Sequence, residues 1–157
     1  MSNKTNNVFI SHIHEDDQKL SSLKNLLKEN GREVRDSSID SSSPNRAQDE
    51  NYIKQEILLP GIKWSGALMV LISPGTHESK WVNWEIECAH RLGKRIIGVW
   101  DHGAKDCDIP DQLDKLADAV VGWNAQRIID AIDGKINDWQ KADGSCPSDR
   151  AIEHYNC

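Results

Sequence analysis

Several things are scarce in this sequence, and each scarcity removes a class of protein. No apolar run approaches the roughly 20 residues a membrane-spanning helix needs; the longest covers residues 67–72. The opening MSNKTNN is polar and lacks the apolar centre of a signal peptide, so a cytoplasmic protein is expected. Four cysteines (Cys88, Cys107, Cys146, Cys157) make no C-x-x-C pair and no metal-ligand spacing. Reduced thiols and no bound metal are expected from that. Basic clusters are missing and the net charge is −6, which argues against nucleic acid and anionic membranes as partners. Phenylalanine occurs once against six tryptophans. Trp81 and Trp84 are expected at a functional site, and the other tryptophans in packing.

What is present suits one soluble domain. The chain has 157 residues, 38% hydrophobic and 28% charged, enough for a single core. Val8-Phe9-Ile10 reads as a buried first strand, followed by a turn at Ser11 to His14. A helix over 15–30 follows, with Leu20, Leu23, Leu26 and Leu27 at helical spacing and Asn30-Gly31 as its stop. Residues 33–36 form a short strand, and DSSIDSSSPNRA is a polar loop. A second helix is expected over 49–59, ended by Pro60-Gly61. GALMVLIS (66–73) is apolar on both faces, as a central parallel strand should be. Then come a helix over 79–92, a strand over 95–100, a short helix over 112–117, an edge strand over 119–123 and a helix over 125–139. Residues 140–157 have weak periodicity, so a domain over 1–139 and a loosely packed tail over 140–157 are expected.

Strands and helices alternate five times, which predicts right-handed crossovers and a parallel sheet covered on both faces. The expected fold class is α/β, a flavodoxin-like five-stranded parallel sheet of order 2-1-3-4-5 with helices on both faces. In such sheets ligands bind beyond the carboxyl ends, near the switch between strands one and three. The residues there are Ser11 and His12, Asp36 and Ser37, and Ser73. They converge where the 79–92 helix begins. On a helical wheel Trp81, Val82, Trp84, Ile86, Cys88, Ala89 and Leu92 cover one apolar arc. Glu85 falls within it, whereas Glu87 faces water. An inward carboxylate is costly unless paired or put to use. Two readings stay open: a buried structural hydrogen bond or ion pair, or a catalytic carboxylate with Trp81 as the wall of a cleft.

Other chemistries fit poorly. A phospho-receiver needs an aspartate closing strand three and a lysine closing strand five, where this chain has Ser73 and Trp123-Asn124. A dinucleotide phosphate loop needs glycines after strand one, and SHIHEDD has none. His12 and His14 with His77 or His102 lack a third zinc ligand at fixed spacing. Ser11 lacks the G-x-S-x-G context of a nucleophile elbow.

VFISHIHEDD at the first strand, the polar loop after strand two, and GALMVLISPGTHESKWVNWEIE together resemble a bacterial TIR (Toll/interleukin-1 receptor) domain. The resemblance is closest to the TIR-like proteins of Thoeris antiphage defence and covers about residues 7–130. It implies an enzyme that cleaves NAD+ at the nicotinamide–ribose bond, with NAD+ as substrate and no cofactor. Carried over by position, Glu85 is the catalytic acid and Trp81 lines the pocket. Phe9, Ser11 and His12 lie on the nucleotide side, and Asp36, Ser73 and Trp84 are further substrate-binding candidates. The BB loop contains Ser37, Asp40, Pro44, Asn45 and Arg46. The family also implies self-association through the TIR domain. A chain of this length leaves no room for a fused sensor, so the resemblance points to a producer of a cyclic ADP-ribose isomer. That diffusible nucleotide would reach a separate effector protein. The alternatives are a non-catalytic adaptor acting by TIR–TIR assembly, and an NAD+ hydrolase or producer of ADP-ribosyl conjugates.

Overall fold

Five parallel strands form one sheet in the order β2-β1-β3-β4-β5 in a computed structural model, which describes residues 4–13, 19–36, 58–73, 75–101 and 109–137. The strands are β1 (Lys4–Ser11), β2 (Arg32–Asp36), β3 (Ala67–Ile72), β4 (Arg95–Trp100) and β5 (Ala119–Val121). Between and after them lie α1 (Lys19–Glu29), α2 (Leu59–Trp64), α3 (Lys80–Arg91), α4 (Asp111–Leu116) and α5 (Ala125–Ile132). The flavodoxin-like order expected from the alternation is the one observed.

Strand alternation divides the core into two layers. Val8, Ile10, Met69, Leu71, Ile97, Val99, Ala119 and Val121 pack beneath α1 and α5. Phe9, Leu68, Val70, Ile72, Ile96, Trp100 and Val120 face the other way, beneath α2, α3 and α4. Gly98 belongs to this second layer for want of room. A Cβ there would come within 3.1 Å of both Ile72 Cδ1 and Leu113 Cδ2.

Several element limits differ from the sequence reading. β1 begins at Lys4, before the apolar run, and Ser11 is its last residue instead of the first of a turn. Register explains the extension. Lys4 to Val8 pair with β2, whereas β3 begins opposite Val8. The two partners therefore overlap only at Val8, and only the half of β1 that pairs with the central strand β3 carries an apolar signature. The helix expected over 49–59 falls outside the described residues, apart from its end. There Pro60-Gly61 does not stop a helix: both lie within α2, with Pro60 in its first turn. A proline in that turn gives up an N–H that has no helical partner. α5 ends at Ile132 and not at 139, because Gly134 turns the chain with φ +80°. Ile136 still packs against the first layer, but outside the helix. β5 stops at Val121, two residues short of the expectation. Leu92, placed in the apolar arc, is 36% exposed beyond the end of α3. Trp64, assigned to packing, is 43% exposed, with the Arg35 guanidinium 5.5 Å from its ring centre.

Charged groups fasten the first layer. The Arg32 guanidinium donates two bonds to Asp133, at 2.7 and 2.9 Å, joining β2 to the end of α5. That bond to Asp133 raises the Arg32 pKa above its ordinary value, against the opposing effect of burial. Arg95, opening β4, donates to the carbonyls of Ala131 and Ile136, where the dipole of α5 favours a cation. No helix among the described residues is long and apolar enough to cross a membrane.

Candidate active site

The helix that carries the candidate carboxylate is well defined at its start. Ser79 caps α3, its side chain accepting from Val82 N at 3.1 Å. This is the bond that satisfies an otherwise unpartnered first-turn donor. Asn83 then fastens the helix sideways, donating to Ser79 O at 3.0 Å and accepting from Gln112 N at 3.1 Å. α3 is thus fixed in height and rotation against α4, with Val82, Ile86 and Ala89 fully buried. That rotation carries Glu85 inward, where it is 7% exposed.

Ser11, at the carboxyl end of β1, meets it. Ser11 Oγ donates to Glu85 Oε1 at 2.6 Å, and both residues are buried. These two nominated residues, 74 positions apart, are in direct contact. Glu87, on the outer face, pairs instead with Arg91 one turn on, at 3.0 Å. Trp81 and Trp84 are half-buried against the second layer, and the Lys80 ammonium lies 5.9 Å from the centre of the Trp81 ring.

The other nominated residues have separate placements. Phe9 is 1% exposed, with its side chain inside the second layer of the core. His12 is half-buried, and its Nδ1–H donates to Ile10 O at 2.8 Å, which puts the proton on that nitrogen. Asp36 is the last residue of β2. Ser73 closes on Thr76: its backbone N donates to Thr76 Oγ1 at 3.0 Å, and the two hydroxyls lie 3.2 Å apart. Ser37, Asp40, Pro44, Asn45 and Arg46 lie outside the described residues, as do His14 and His102.

Thr76 went unnoticed in the sequence, yet it is fully buried and shapes the turn after β3. The turn depends on Gly75, whose φ of +98° suits glycine. Ile13 lies against Gly75, its Cδ1 3.7 Å from where a Cβ would stand. The segments after β1 and β3 therefore touch, as expected at the switch point of the sheet.

A concave region lies on the other layer. A groove of about 510 Å³ runs beside α1 and is lined by Lys19, Leu26, Glu29, Asp101 and Trp123, among others. It contains none of the residues nominated from the sequence. Lys19 and Asp101 form an ion pair at its edge, with Asp101 7% exposed. Asp101 could have been noticed as the first residue beyond an apolar strand at the carboxyl edge.

Burial also acts on Cys88, one turn beyond Glu85. Desolvation raises its thiol pKa, and the negative charge of Glu85 adds to that while Arg91 and Lys63 oppose it. The thiol is a packing group here, held in its uncharged form.

A five-stranded parallel sheet of order 2-1-3-4-5 with helices on both faces is consistent with the flavodoxin-like α/β fold of TIR domains. The family model described as "Thoeris protein ThsB, TIR-like domain" matches residues 9–106, well over half of the chain. The chain belongs to this family. Nine solved chains also match. Among them are the TIR domains of the activated Roq1 resistosome directly recognizing the pathogen effector XopQ. They are 22% identical, with a TM-score of 0.42, over 60% of this chain and 57% of that one. No curated protein matches the sequence.

Proposed function

We propose that this TIR domain cleaves NAD+ at the bond between nicotinamide and ribose and makes a cyclic ADP-ribose isomer as an antiphage signal. The observation that carries the reading is Glu85: a carboxylate 7% exposed, on a helix whose caps and lateral bonds fix its direction. The family membership supports the setting, since Thoeris is a defence system.

One carboxylate is sufficient for this reaction. Ordinary glycosidases use two because the departing oxygen must be protonated. In NAD+ the nicotinamide nitrogen is already cationic. When the bond from ribose C1′ breaks, nicotinamide keeps the electron pair and leaves neutral, needing no acid. The positive charge moves to the ribose as an oxocarbenium ion, which the Glu85 carboxylate stabilises electrostatically. Capture by a nucleophilic atom of the same adenosine moiety closes a ring, and its proton passes to solvent. Capture by water would give linear ADP-ribose, and by another amine a conjugate. Self-association through the loop over 37–47 belongs to the same reading, with a separate effector receiving the nucleotide.

The test is chromatography and mass analysis of products after NAD+ is added to the purified protein, alongside extracts of phage-challenged cells expressing it. Nicotinamide with a cyclic isomer is the expected result. Nicotinamide with only linear ADP-ribose or a conjugate overturns the cyclisation. No nicotinamide in either setting overturns cleavage and favours an adaptor, in which Glu85 and Ser11 simply join α3 to β1.

A further inference from the structure

We infer that Ser11 is a positioning residue, which aims the Glu85 carboxylate and does not itself hold the substrate. The inference rests on the proposed role of Glu85 at the ribose.

The geometry separates the two roles. The Ser11 Oγ to Glu85 Oε1 distance of 2.6 Å is that of a charge-assisted O–H to carboxylate bond. Ser11 is 1% exposed, which leaves almost no surface for a dinucleotide to touch. Its backbone stands opposite Val70 of β3, so the hydroxyl hangs on one rotatable bond from the carboxyl end of a paired strand. Glu85 has three rotatable bonds, and no single orientation of a carboxylate is imposed by the apolar arc around it. A fixed donor from a different element selects one. The carboxylate has two oxygens and about four acceptor directions, so the serine bond takes up only part of its capacity.

The neutrality of the donor matters as well. A lysine or arginine in this position would orient Glu85 but would also offset the negative charge on which the oxocarbenium ion depends. A hydroxyl orients the carboxylate and adds no formal charge. The short segment after β1, with Ile13 against Gly75, holds the end of that strand in place.

The experiment measures nicotinamide release from NAD+, in whichever of the two settings above shows turnover. It compares wild type, Ser11→Ala, Ser11→Thr, Glu85→Gln and the Ser11→Ala/Glu85→Gln double variant. Loosening a reactive group in this way is expected to lower kcat roughly 10- to 100-fold, with KM unchanged. Ser11→Thr keeps the hydroxyl and should recover most of the rate. In the Glu85→Gln background Ser11→Ala should cost nothing further, because there is no carboxylate left to aim. A rise in KM at unchanged kcat would make Ser11 a substrate contact and overturn the inference. Losses that simply multiply in the double variant would do the same. Should Ser11→Ala not fold, Ser11→Cys keeps the shape with a much weaker donor, and full activity there is also a refutation. An active wild type with a fully active Ser11→Ala sinks this inference alone; an inert wild type sinks the cleavage reading, and this role with it.

Discussion

The two layers of the sheet treat buried charge differently. Beneath α1 and α5, charge meets opposite charge: Arg32 with Asp133, and Lys19 with Asp101. Beneath α3, Glu85 accepts from a neutral serine hydroxyl. The first arrangement closes the ends of elements that are far apart in sequence, as a fastening would. In the second, the donor that meets the carboxylate is itself uncharged. Under the proposed function, the layer with the two ion pairs is scaffold and the layer with the hydroxyl-bound acid is the working side.

That contrast breaks most visibly at Glu85. Glu85→Gln keeps the shape but removes the charge, and nicotinamide release should fall on the order of 10²–10³-fold. Its thermal melting point should stay level or rise, since a desolvated charge has been removed. Nicotinamide assays and melting curves on the same preparation check both. An inactive variant that also melts far lower would move Glu85 to the scaffold side.

The fastening layer should respond in the opposite sense. Asp133→Ala strands a guanidinium that is 8% exposed as a residue and should cost roughly 1.5–3 kcal/mol in chemical denaturation. Per-chain turnover below the melting transition should stay near wild type. A stability loss of similar size from Arg32→Ala would confirm that the pair acts as one fastening.

Gly98 sharpens the packing of the working layer. Ile72 and Leu113, the side chains a new Cβ would press on at 3.1 Å, are both fully buried and have little room to retreat. Gly98→Ala should therefore destabilise by about 1 kcal/mol in urea unfolding, even though alanine is the better strand residue.

Cys88 supplies a pH-dependent comparison. Its folded pKa is raised above the ordinary 9.0, so the native state holds the thiol proton more tightly than the unfolded chain does. The associated stability is fully present below pH 9.0 and is lost as pH rises through the folded value. Melting from pH 8 to 10.5 should fall more steeply for wild type than for Cys88→Ala. Equal slopes would mean that burial does not hold the proton.

The smallest effect is expected at Glu87. Its partner Arg91 is 68% exposed, and such pairs contribute little. Glu87→Gln should stay within about ±0.5 kcal/mol in stability and near wild type in turnover. A large loss of turnover would show that the outer face of α3 also takes part.

Much of this arrangement could be read in the chain. β4 was delimited by its apolar run, and α3 by Ser79 and a wheel that already turned Glu85 inward. Five alternations gave the strand order, because short right-handed crossovers leave few other arrangements. The limits that failed did so where residue type and position in the element disagree. Lys4 to Asn7 look unlike strand and Pro60-Gly61 unlike helix when judged by residue type, yet both lie inside elements. β1 extends into polar sequence because β2 supplies a backbone partner there. α2 runs through Pro-Gly because the pair sits in its first turns.

The sequence by itself determined the layer count, the strand order, the inward direction of Glu85 and the family. Each of these depends on periodicity or on a contiguous motif, which local spacing encodes. Tertiary structure alone decided which residue meets Glu85, that Phe9 belongs to the core, that Thr76 closes the turn at Ser73, and that Arg32 and Asp133 are a pair. Those facts join positions on separate elements, or depend on how far a side chain is covered by others. No spacing along the chain records either one, because both arise when strands align in register and helices settle at a particular rotation upon them.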